Sequence, residues 1–181
     1  MITIEQPAMT LNSKVNPAIA RYQMWNTWDV DNTNTPEHLV GWSATVARGA
    51  QGGKLKNLII QCHGAPGRLA IGSSGFDRNN IGLFQGLAGL VEKIWVVACQ
   101  PAYIDPTCGS NTACLTDGNL FISEMARHAQ CYVVASTETQ IDYAQTYPFG
   151  QLPSFEGLVL SYGPGGNVTW SHRYPSSHQG E

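Results

Sequence analysis

Three short stretches most limit what this chain can fold into: NLIIQC (57–62), IWVVAC (94–99) and CYVVAS (131–136). None alternates apolar with polar residues, so none suits a strand with one wet face. Continuous apolar runs of this length are expected of parallel strands covered on both sides. Helical spacing lies between and before them. Thr35 is a candidate N-cap with Pro36 at the first helical position and Glu37 in the first turn. Leu39, Val40, Trp42, Ala44, Val46 and Ala47 supply the apolar surface that follows. Residues 79–93 repeat apolar side chains at Ile81, Phe84, Leu87, Leu90 and Val91, although three glycines weaken that helix. Residues 118–130 do so at Leu120, Ile122, Met125 and Ala126.

Strand–helix alternation of this kind predicts one α/β domain over 1–181, with helices on both faces of a mostly parallel sheet. Residues 1–18 read as an irregular N-terminal segment, and Ile19–Trp25 reads as the first strand. NTWDVDNTN is expected to be a loop, as is the long stretch 100–118. The segment 155–174 carries two strand-like runs flanking GPGG, the pattern of a C-terminal β-hairpin.

Charged residues make up 13% of the chain, about half the roughly 25% usual for globular proteins. The net charge is only −3, however, and the apolar share is 43%, which argues against disorder. No run of Lys or Arg exists to track phosphates, so nucleic acid is not an expected partner. The N-terminus lacks a basic region followed by an apolar one, and no window approaches a membrane span. No membrane is expected as a partner. A cytoplasmic location is the default expectation, with delivery by a signal-free secretion route left open.

The chain has five cysteines, Cys62, Cys99, Cys108, Cys114 and Cys131. An odd number without a signal argues against a disulfide framework. Cys108 and Cys114 are expected to be free loop thiols, a small disulfide or a zinc pair being the alternatives. Cys62 is expected in the core, because neighbours along a strand point to opposite faces.

Ligands and chemistry in a parallel α/β sheet lie outside the carboxyl ends of the strands. Two apolar runs stop there on reactive residues, His63 and Cys99. Consecutive strands joined by one crossover lie side by side or nearly so. An imidazole and a thiol in that position make a base and a nucleophile. Gly64 lets a carbonyl approach the backbone, and its N–H with that of Cys99 can hold an oxyanion.

IIQCHGAPG followed, 36 positions after His63, by IWVVACQPA resembles the caspase-like cysteine peptidases. It is nearer the bacterial CHAT-domain and self-processing toxin members than caspases themselves. Over roughly residues 55–136 the resemblance implies a three-layer α/β/α sandwich and peptide-bond hydrolysis through a thioester acyl-enzyme. It implies His63 as base, Cys99 as nucleophile, and the Gly64 and Cys99 amides as oxyanion donors. A protein or peptide substrate is implied, with no cofactor and no metal needed for the chemistry. The pocket for the side chain before the cleaved bond falls in 135–143. There Thr137, Glu138 and Asp142 are the expected substrate-binding residues, the two acids suiting Arg or Lys. Departures are Gln100–Pro101 after the nucleophile and the first 50 residues, which match no part of the family.

Two other readings use the same residues. One is a catalytically silent caspase-like module that binds proteins; the other is acyl transfer or deamidation by the same dyad. An α/β-hydrolase reading of HGAPG lacks Gly-x-Ser-x-Gly, and GSSG at 72–75 has the wrong spacing. Glu124 and His128 are expected to form a surface pair. Asp105 and Asp117 lie in the loop after Cys99, where they either face substrate or are simply solvated, and His172 and His178 show no constellation.

Overall fold

The three apolar runs lie side by side in the middle of one sheet. The computed structural model describes residues 1–15, 20–141 and 143–175. Its elements run β1 (Ile2–Thr3), β2 (Ala8–Ser13), β3 (Asn26–Val30), α1 (Pro36–Gly49), β4 (Leu55–Gln61), β5 (His63–Ala65), β6 (Arg68–Ala70) and β7 (Phe76–Asp77). A 3-10 segment (Ile81–Leu87) follows, then β8 (Val91–Val97), α2 (Gly118–Ala129), β9 (Tyr132–Ser136), β10 (Gln151–Leu152), β11 (Gly157–Tyr162) and β12 (Val168–Tyr174). Seven strands form a mixed sheet in the order β12-β11-β9-β8-β4-β2-β3. Neighbours from β9 through β3 are parallel, while β11 runs antiparallel to both β9 and β12. The protein is a mixed α/β structure with few helices.

Helix α1 starts where its cap chemistry places it, with Thr35 Oγ1 accepting from the His38 N–H. Residues 79–93 do not make the expected α-helix. They form the 3-10 segment, which gives way at Gly89 (φ 77°) to a strand that begins at Val91. Glycines at 82, 86 and 89 remove the propensity that a full helix would need.

The N-terminal reading is corrected. Strand β2 lies inside the segment expected to be irregular, and β3 inside an expected loop. Ile19 lies outside the described residues, and residues 20–25 contribute one isolated bridge, Arg21 to Thr146. Thr10 and Asn12 hid β2, because buried polar residues break an apolar run. Their burial is compensated by hydrogen bonds. Asn12 Nδ2 donates to the Tyr22 carbonyl (2.9 Å) and to Asp29 Oδ1 (3.2 Å), and Asn12 Oδ1 accepts from the Tyr22 N–H (3.0 Å).

Helices on both faces are also corrected. Both α-helices and the 3-10 segment pack on one face, over Leu58, Ile60, Ile94, Val96, Val133 and Ala135. The opposite face presents Ile59, Val97, Val134 and Val159. It is covered by Ile4, Tyr22, Met24, Tyr147, Leu152 and Phe155 from irregular chain and the small β1–β10 pair. Among the described residues no helix lies on that face, so the layers are helix, sheet and irregular chain. No helix among them is long and apolar enough to cross a membrane.

Candidate active site beyond the ends of β4 and β8

Register brings His63 and Cys99 level with each other. Gln61 pairs with Val97 in the parallel β4–β8 ladder, and the Cys62 N–H donates to the Val97 carbonyl at 3.2 Å. Two residues further along each strand stand His63 and Cys99. There β4 gives way to a small antiparallel sheet in which β5 carries His63 opposite Ala70. Gly64 lies directly against the nucleophile candidate. A Cβ there would fall 2.6 Å from the Cys99 carbonyl oxygen and 3.2 Å from the Cys99 nitrogen. The two amides named as oxyanion donors are therefore close neighbours.

His63 is half-buried. Its Nε2 is shielded from solvent and has no hydrogen-bond partner among the described residues. Cys99 is half-buried and carries a free thiol. Its Sγ lies 3.5 Å from the Gln140 carbonyl oxygen, to which the thiol donates. Gln100 follows in the left-handed region (φ 55°), which lets the chain turn sharply after the nucleophile. That turn is pinned to the end of β9 by Gln100 N–H to Glu138 O (3.1 Å) and Ala102 N–H to Ser136 O (3.1 Å).

Cys62 is in the core, as its strand position implies. Burial pushes its thiol up to about 12, with a further upward push from nearby Cys99 against a backbone hydrogen bond from Ala70. Burial likewise raises Cys131 to about 12. Of the free thiols, only Cys99 is open to solvent.

The residues expected to bind substrate are placed differently from one another. Thr137 is buried and bonds through both its N–H and its Oγ1 to the Leu158 carbonyl. Glu138 Oε1 accepts from the Leu158 N–H (3.1 Å) and pairs with Arg173 (2.7 Å). Its carboxylate is thus matched by a cation from β12. Asp142 lies outside the described residues. Gln140 went unremarked in the sequence, which carries no signal for it. Its side chain ties the loop together, donating to Ser136 Oγ (2.8 Å) and Glu156 O (2.9 Å) while accepting from the Glu156 N–H (2.9 Å).

Loop 100–118 folds back toward His63. A Cβ on Gly67, in the turn after β5, would fall 2.2 Å from the Leu115 carbonyl oxygen. Cys108 and Cys114 are joined by a disulfide (Cα–Cα 5.7 Å), correcting the expectation of free loop thiols. Asp105, whose side chain lies beside both sulfurs, accepts from Thr107 and Thr116. Asp117 is the N-cap of α2, accepting from the Leu120 N–H. Replacing Cys108 and Cys114 by Ser is expected to lower stability by about 2 kcal/mol, the loop-entropy value for so short a ring. Urea titration of oxidised wild type and the double variant checks it; equal midpoints would contradict it.

Glu124 does not pair with His128. It takes a partly buried bidentate pair with Arg78, whose Nη1 and Nη2 also donate to the Cys114 and Thr112 carbonyls (2.7 Å each). His172 stacks on Trp170 on exposed β12, and His178 lies outside the described residues.

Compared with protein families, with curated proteins and with solved structures, the chain matches none.

Proposed function

We propose that the chain is a caspase-like cysteine endopeptidase working through a Cys99–His63 dyad, with residues 157–174 as the hairpin that completes its sheet. The observation that carries this reading is the seating of Gly64 against the Cys99 peptide, with the His63 ring one residue away and its Nε2 unpartnered. The Cys99 thiol must first leave the Gln140 carbonyl and give its proton to His63. The thiolate then attacks the carbonyl carbon of the peptide bond, and the Gly64 and Cys99 amides hold the oxyanion. Protonated His63 returns the proton to the leaving amine as the C–N bond breaks, leaving a thioester. Water, deprotonated by His63, attacks the thioester; the acid product leaves and Cys99 regains its proton.

The bond from Cys99 Sγ to Gln140 favours a second reading, a silent scaffold that keeps the fold for binding proteins. Acyl transfer or deamidation would use the same dyad and differ in products.

Alkylation of the cysteines by iodoacetamide, followed against pH by mass spectrometry, tests the dyad without a substrate. Cys99 is expected to react fastest near neutral pH, and His63→Ala to slow it at least about tenfold. Cys62 and Cys131 should stay inert, since at a pKa of about 12 almost no thiolate forms at pH 7. A Cys99 indifferent to His63 would sink the peptidase reading. A reactive Cys99 that cleaves no member of a peptide library would favour the scaffold.

A further inference from the structure

On the face of the sheet without helices, the irregular cover stops at Ile2 and Phe155 and leaves a cleft of about 430 Å³ toward the β12 edge. It lies along Lys93 and Trp95 of β8 and Tyr132 and Val134 of β9, short of the strand ends that lead to Cys99 and His63. Its floor is Trp95, Val134 and Val159; its walls include Phe155, Trp170 and Tyr132. A cavity of this size suits one small organic molecule, and such sites are mostly apolar with a few fixed polar groups.

The aromatic floor is held in place beforehand. Trp95 Nε1 donates to Asn57 Oδ1 at 2.7 Å, and Asn57 Nδ2 donates in turn to the Glu5 carbonyl at 2.9 Å. The Trp95 ring stacks nearly parallel to Phe155, at 6.3 Å and 17°. Trp170, one face of which stacks on His172, and Tyr132 remain 47% and 45% exposed. Contiguous apolar surface of this kind marks an interaction site more often than scattered exposed residues do. One cation stands in the lining. Lys93 Nζ sits 5.3 Å from the Trp95 ring centroid and has no ion-pair partner among the described residues. Ser161 and Thr169 are already engaged, Thr169 Oγ1 donating to the Ser161 carbonyl.

We propose that this cleft binds a small planar aromatic anion, its ring against Trp95 and Trp170 and its negative group at Lys93. This goes beyond the peptidase reading and does not depend on it. Apolar walls call for a flat hydrocarbon body, while an unpaired ammonium at the rim selects one negative charge over none.

Equilibrium dialysis of the full chain against 2-naphthoate and its neutral counterpart 2-naphthalenemethanol tests the proposal. One saturable naphthoate site is expected. Trp170→Ala and Tyr132→Ala remove separate walls, and each should weaken it about five- to tenfold. Lys93→Gln should weaken naphthoate about fivefold and leave naphthalenemethanol unchanged. Circular dichroism and the Cys99 alkylation rate, both expected at wild-type values, separate a lost wall from a lost fold and from failure of the peptidase reading. No saturable binding, binding indifferent to both wall variants, or equal loss of both probes in Lys93→Gln would overturn it. So would binding that requires removal of residues 176–181, which would make the chain's own tail the occupant. Loss of binding as the chain dimerises would overturn it too, assigning the face to a second copy.

Discussion

Gly64→Ala is expected to lose about 3 kcal/mol of stability, the upper end for overpacking, and to disable Cys99. The added methyl would sit 2.6 Å from the Cys99 carbonyl oxygen and 2.9 Å from the Ala98 Cβ. Neither belongs to a flexible side-chain tip, so the strand end itself must lift away. Under the proposed chemistry, that displaces the nucleophile and one oxyanion donor together, and turnover should fall at least about a hundredfold. Gly41→Ala on the exposed face of α1 is the control, because nothing lies within 4 Å of its added Cβ. It should stabilise by about 0.5–1 kcal/mol through helix propensity. Urea unfolding and the Cys99 alkylation rate report both effects. A Gly64→Ala protein with wild-type stability and wild-type alkylation would refute the close approach.

Arg78→Ala is expected to cost about 2–3 kcal/mol, short of the roughly 3–5 kcal/mol for breaking a fully buried ion pair from one side. Arg78 and Glu124 side chains are only 11% and 17% exposed, and their hydrogen bonds raise the Arg78 pKa further. The substitution strands a carboxylate and also releases the Thr112 and Cys114 carbonyls. Removing both charges as Arg78→Met with Glu124→Leu should cost much less than the sum of the singles, since the stranded charge disappears with its partner. Thermal unfolding of the four proteins measures the coupling, and limited proteolysis should show faster cutting in 105–116 for Arg78→Ala. Additive single losses would mean that the pair is not coupled.

What the sequence disclosed about the fold followed from how each strand is covered. Strands β4, β8 and β9 are buried on both sides over most of their carboxyl-terminal halves, so their apolar runs were visible without neighbours. Strand β2 is equally buried, but Asn12 reaches the Tyr22 backbone ten residues on, and nothing local reveals such a partner. The one-sided helix layer was hidden for a related reason. Tyr22, Tyr147 and Phe155 cover the sheet from segments with no periodicity. The adjacency of the β4 and β8 ends was legible because it needs only two strands and one crossover. The commitments of Glu138 to Arg173 and of Glu124 to Arg78 were not, since each spans more than thirty residues between elements whose placement only the folded sheet fixes.

Residues 2–3 pair with residues 151–152, and the layer over the helix-free face draws on both the first and the last parts of the chain. That layer cannot close until residues as far as Phe155 have left the ribosome. Emerging β4 and β8 will have one apolar face without its cover until then. Long sequence separations of this kind slow folding and expose sticky surface meanwhile. Yield in the cell should therefore depend more on chaperone supply and on slow translation before residue 150 than on the stability of the finished protein.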